Sequence, residues 1–95
     1  MSTTFFAPDA QAATKGLEIN MASANAAELT VFLDLDTHAE IDARGMVAGE
    51  ASALVILAAI RQWDTTGSGY LFSRMCELRT LAEAAEAHNS IVAWA

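Results

Sequence analysis

The sequence predicts an α+β fold: a small sheet of about three strands covered by about three helices, in the order strand-strand-helix-helix-helix-strand. Three observations lead there. Leu17-Glu18-Ile19-Asn20-Met21 alternates apolar and polar residues with the period of a half-buried strand. Leu71, Met75, Leu78, Ala82 and Ala85 recur at the spacing of one helical face. Both ends of the chain, Thr3–Ala7 and Ile91–Ala95, are rich in β-branched and aromatic residues. A chain of 95 residues supports one domain, taken here as residues 1–95, and its 54% hydrophobic content excludes disorder. Much of that content is alanine, so nearly every large apolar side chain is needed for a core.

The first strand spans 3–7 and stops at Pro8-Asp9. Residues 9–16 carry no large apolar side chain and read as a loop. In the second strand, 17–21, the side chains of Leu17, Ile19 and Met21 face a core. A first helix is expected over roughly 25–35. Asn25 is positioned to cap it, with Glu28 reaching back, and Ser23 is a rival cap. Leu29, Phe32 and Leu33 share its buried face, and Asp34, Asp36 and Thr37 end it. A second helix, capped by Asp42, carries a stripe of Val47, Ala51, Leu54, Val55 and Ala58, widened by Ile56, Leu57 and Ile60. A helix apolar nearly all round is expected to be buried. Gly45 and Gly49 weigh against its first turns. Trp63 closes it, and residues 64–69 form a turn cluster. The third helix, 70–88, is capped by Ser68, with Leu71, Met75, Leu78 and Leu81 buried and Asn89 as a left-handed terminator. Ile91–Ala95 is the last strand.

Charge narrows the function. Twelve acidic residues against five basic ones give a net charge of −7. Arg44, Arg61, Arg74 and Arg79 are scattered, and Lys15 is alone, so the chain lacks the footprint of a direct nucleic-acid binder or of a protein held on an anionic membrane. The longest apolar run, Ala53–Ile60, is far short of a spanning helix. The first residues carry no positive charge of the signal-peptide kind, and the one cysteine cannot make an internal disulfide. The expected location is the cytoplasm.

Few motifs carry chemistry. Asp34, Asp36, His38, Glu40 and Asp42 fall at alternate positions, as in the opening of a calcium loop. Ala39 stands where that loop needs Gly and Gly45 where it needs Glu, so no metal site is expected. Cys76 has no histidine partner and reads as a buried, inert thiol. No nucleophile motif is present, and neither enzyme activity nor a cofactor is expected. Two sites remain. Thr65, Thr66 and Ser68, before a helix that carries Tyr70 and Arg74, could cradle an anion, with Asn20 and Asn25 adding side-chain amides at a second helix start; ordinary turn and cap chemistry is the simpler reading. Trp63, Val92 and Trp94 are candidate interface residues. Ile91–Ala95 has neither charge nor proline to guard a sheet edge, and both of its faces are apolar. That predicts a symmetric homodimer containing Trp94 or Trp63, unless the strand is central.

Asn20-Met21-Ala22-Ser23-Ala24-Asn25, Gly69-Tyr70-Leu71 and the closing Val92-Ala93-Trp94-Ala95 resemble a group of small uncharacterised proteins of bacteria and their phages. In that group a strand ends in Asn, a helix opens on an Asn-Ala-Asn-like stretch, here Ser23-Ala24-Asn25, and a Trp lies near the end. The resemblance covers residues 17–95 and assigns no catalytic residue. It implies a small accessory protein of phage type; small size, acidic charge and the lack of catalytic groups point to a non-enzymatic accessory or inhibitory factor that acts by binding a protein partner. The alternative is a protein that holds an anionic or nucleotide-like small ligand.

Overall fold

A computed structural model describes residues 1–41, 47–63 and 69–95. Its sheet is antiparallel throughout, in the order β2-β1-β5-β4-β3: β1 is Ser2–Phe6, β2 Ile19–Ala22, β3 Ala39–Ile41, β4 Val47–Ser52 and β5 Ile91–Trp94. Four full strands and the three-residue β3 at one edge thus replace the expected three. The helices are α1 (Ser23–Phe32), α2 (Ala53–Arg61) and α3 (Tyr70–Ala87). The α+β class is as the sequence predicts.

Register explains why only one face of the sheet is covered. Phe5 pairs with Ile19 and with Trp94, Trp94 with Gly49, and Val92 with Ala51. Paired residues share a face, so Thr3, Phe5, Ile19, Met21, Val47, Ala51, Val92 and Trp94 form one buried surface beneath the helices. On the other face Ser2, Asn20, Ala22, Ala48, Glu50 and Ser52 are exposed, and Phe6, Ile91 and Ala93 are half-buried.

Residues 47–52 correct the sequence reading. They were expected to lie in the second helix but form β4. Val47, Gly49 and Ala51 have the period of a strand as well as of a weak helix, and Gly49 disfavours the helix by about 1 kcal/mol relative to alanine. Tertiary packing decides. Trp94 lies across Gly49 so closely that a Cβ there would sit 2.8 Å from the ring atoms Cε2 and Cζ2, and it would also meet the His38 carbonyl.

The strand β4 also decides between the edge and central positions that the sequence leaves open for Ile91–Ala95. β5 is central, flanked by β4 on one side and β1 on the other. Thr4 N–H donates to the Ala95 carbonyl at 2.9 Å, and Ala95 N–H donates to that of Thr4 at 3.1 Å. Its two-sided apolar character comes from this central place. The edges are β2 and β3, so the edge-strand argument for a homodimer falls.

Helix ends were partly legible. α1 begins two residues before Asn25. Its N-cap, Ala22, has no side-chain bond, and Asn25 is the third helical residue, not the cap. Ser23 Oγ turns instead to Thr3 Oγ1 at 2.9 Å, and the Thr3 hydroxyl reaches the Val47 carbonyl at 3.3 Å, which satisfies two buried hydroxyls beneath the helix. α1 stops where Asp34 takes the left-handed conformation (φ 57°), with Leu35 N–H donating to the Thr30 carbonyl at 2.7 Å. α3 ends the same way. Asn89 is left-handed (φ 56°), as predicted, and Ser90 N–H donates to the Ala85 carbonyl at 2.8 Å. Ser90 Oγ then accepts from Asp9 N–H at 3.2 Å, which ties the 9–16 turn to this corner. The expected caps Asp42 and Ser68 lie outside the described residues. α2 is capped by Ser52, whose Oγ accepts from Val55 N–H at 3.2 Å.

These caps make a direct prediction. Ser52→Ala should cost about 0.5–2 kcal/mol in urea denaturation. Asn25→Ala should cost nothing and could gain up to about 0.5 kcal/mol, because alanine is the better helix former inside a helix. An equal loss for both would contradict the observed start of α1.

On α3, Met75, Leu78 and Leu81 are buried as expected, and Leu71 is half-buried. On α2 the buried face is Ala53, Ile56, Leu57 and Ile60. Leu54 and Val55, expected in the core, point outward at 62% and 40% exposure. Among the described residues no helix is long and apolar enough to cross a membrane.

Candidate functional site

Of the anion site read from the sequence, Asn20, Asn25, Tyr70 and Arg74 are among the described residues. Asn20 stands on the open sheet face, where its Nδ2 donates to Thr4 Oγ1 at 2.8 Å. Asn25 is on α1, which packs against the opposite face. Tyr70 opens α3 and is exposed, and Arg74 one turn later is already engaged. Its guanidinium carbon lies 5.3 Å from the Tyr70 ring centre, and Nη2 donates to Glu77 Oε1 at 2.7 Å. Thr65, Thr66 and Ser68 lie outside the described residues.

The interface candidates also separate. Val92 and Trp94 are 0% and 1% exposed in the chain's own core, so neither can meet a partner. Trp63 remains at the surface, and it is not alone. Its ring stacks on Phe32 with centroids 4.1 Å apart and planes 22° from parallel. The pair bridges the end of α1 to the end of α2 while both rings stay well over a third exposed.

Two hollows open on either side of Trp63. The first, about 360 Å³, lies between α1 and α2 and is lined by Phe32, Leu33, Val55, Ala58 and Trp63, with Asp34 among its polar groups. Exposed Val31 adjoins Phe32, exposed Leu54 adjoins Val55, and Glu28 stands one helical turn before Phe32. The second hollow, about 210 Å³, lies between α2 and α3. Ile60, Phe72, Met75 and Cys76 line it, Trp63 is its wall, and its charged residues are Arg61 and Arg79.

The local sequence explains this surface. Residues 53–60 of α2 are all apolar, yet a helix lying on a sheet buries only one side. The surplus must face solvent. The missed residues, Phe32 and Val55, had been assigned to buried stripes. The surplus of apolar positions around α2 was the signal available, since a 95-residue chain has too little core to enclose that helix completely. Arg61 and Arg79 look scattered in sequence, but α2 and α3 pack side by side and bring them to one hollow.

The buried hydroxyls of Thr3, Ser23, Thr14, Thr30 and Ser90 bond to backbone groups or to one another. Cys76, expected to be buried, is half-buried at the second hollow. Among the described residues no three His, Cys, Asp or Glu side chains are grouped to hold a metal ion; Asp42 of the alternating acidic run lies outside them. No family model, curated protein or solved structure matches this chain.

Proposed function

We propose that this chain is a non-enzymatic binding protein that docks another protein through the apolar face shared by α1 and α2. The observation that carries the reading is the stacked Phe32–Trp63 pair, held partly exposed around the same hollow as Val55, with exposed Leu54 next to Val55 in the chain. Contiguous exposed apolar surface on a small domain marks an interaction site, and aromatic anchors dominate the energy of such interfaces. Charge selects the partner. Glu28 and Asp34 flank the face, and the chain carries −7 overall, so two copies would repel each other. The partner that fits offers an apolar side chain ringed by Lys and Arg. We read its role as that of a cytoplasmic accessory or inhibitory factor, on its small size, its acidic charge and the resemblance to small bacterial and phage proteins.

Leu54→Glu and Val55→Glu test this. Both side chains are exposed, so each change should alter stability by less than about 1 kcal/mol. Each should abolish capture of a partner by the immobilised protein, and capture by the unaltered protein should weaken with salt. Capture of the same partner by both variants would refute the docking face. Light scattering at micromolar concentration should give a monomer near 10.1 kDa. A dimer mass that Val55→Glu dissociates would reassign the face to a second copy of the chain.

A further inference from the structure

The hollow between α2 and α3 differs from the docking face in shape and in charge. It is the smaller of the two, at about 210 Å³, and its charged residues are both arginines. Only five cationic side chains exist in the whole chain. Two of them line one small apolar hollow in a protein of net charge −7. Arg74, by contrast, is bound to Glu77 at 2.7 Å. Among the described residues Arg79 has one long ionic contact, 3.7 Å from Nε to Glu83 Oε1, between side chains 45% and 63% exposed. A pair so exposed is worth little and competes weakly for the guanidinium.

We infer that this hollow binds a small aromatic carboxylate, with its ring among Trp63, Phe72 and Met75 and its carboxylate on Arg61 and Arg79. Size sets the ring count. An apolar cavity of about 150 Å³ takes one benzene, so about 210 Å³ holds one ring with its carboxylate and little more. The walls suit a ring: Trp63 and Phe72 are aromatic, and a thioether such as that of Met75 makes favourable sulfur–aromatic contacts. Guanidinium groups recognise a planar carboxylate through paired N–H donors. The inference is independent of the protein-docking reading, and either can fail alone.

Cys76 reports on the site from inside it. It lines the hollow and is the single thiol of the chain, so its alkylation by N-ethylmaleimide reads occupancy without any assumption about activity. Benzoate at millimolar concentration should slow that alkylation, with free cysteine as the control for the reagent. Benzyl alcohol, which has the same ring without the charge, should protect far less. The double variant Arg61→Gln/Arg79→Gln should raise the benzoate concentration needed by about tenfold or more and leave the weak effect of benzyl alcohol unchanged. Three results would each overturn the inference: no protection by benzoate, equal protection by the alcohol, or a double variant protected like the unaltered protein.

Discussion

Gly49→Val is expected to cost about 3 kcal/mol or more and to lower the urea midpoint of unfolding sharply. Gly49 is in β4, opposite Trp94 of β5. Its own backbone is unremarkable for a strand, so conformational freedom is not the reason for glycine. Space is. A Cβ there would stand 2.8 Å from two ring atoms of Trp94 and against the His38 carbonyl. Overpacking a core costs about 1–3 kcal/mol when side chains can shift. Here one obstacle is backbone and the other is an indole only 1% exposed, so neither has room to yield. A domain of this size is stable by roughly 5–15 kcal/mol, and the loss is a large part of that. Urea denaturation followed by far-ultraviolet circular dichroism measures it. A variant within about 0.5 kcal/mol of the parent would show that Trp94 does not lie on Gly49.

That contact also marks where the sequence stopped being readable. Alternation at Leu17–Met21 and the apolar spacing of 71–85 are local patterns, and the elements they predict are present with shifted ends. Asn89 was legible because few residues other than glycine accept a left-handed backbone. β4 was not. Val47-Ala48-Gly49-Glu50-Ala51-Ser52 has no large apolar side chain after Val47, and its spacing fits either a strand or the first turns of the following helix. What makes it a strand is the free edge of β5, more than forty residues later, and an indole that needs a neighbour without a side chain. Missing β4 had a second consequence. Without β4, β5 has a neighbour on one side at most, and its apolar side chains point to a dimer interface unless the strand is central. The surface followed the same logic in reverse. Phe32 and Val55 have the spacing of core residues, and only the one-sided packing of α1 and α2 leaves them outside.

Trp94→Ala is the other large expected effect, at about 3–5 kcal/mol. The indole is the largest fully buried side chain and packs on Phe5 with ring centres 5.4 Å apart. It sits on the central strand, between the Phe5 and Gly49 positions of the two neighbouring strands, so its removal opens a cavity in the middle of the sheet. The polar end of the ring separates packing from hydrogen bonding. Among the described residues Trp94 Nε1 has no hydrogen-bond partner, although it is buried. Trp94→Phe keeps most of the ring and removes that unpaired donor, whose burial costs about 1–3 kcal/mol. It should therefore cost less than half of what Trp94→Ala costs. The pair with Gly49 gives the sharper measurement. Once Trp94 is alanine, a Cβ at position 49 meets the His38 carbonyl but no ring, so Gly49→Ala should cost less there than in the parent. Contacting residues couple by about 0.5–3 kcal/mol in such a cycle. Additive losses would separate the two positions, and β4 would then need another reason for its glycine.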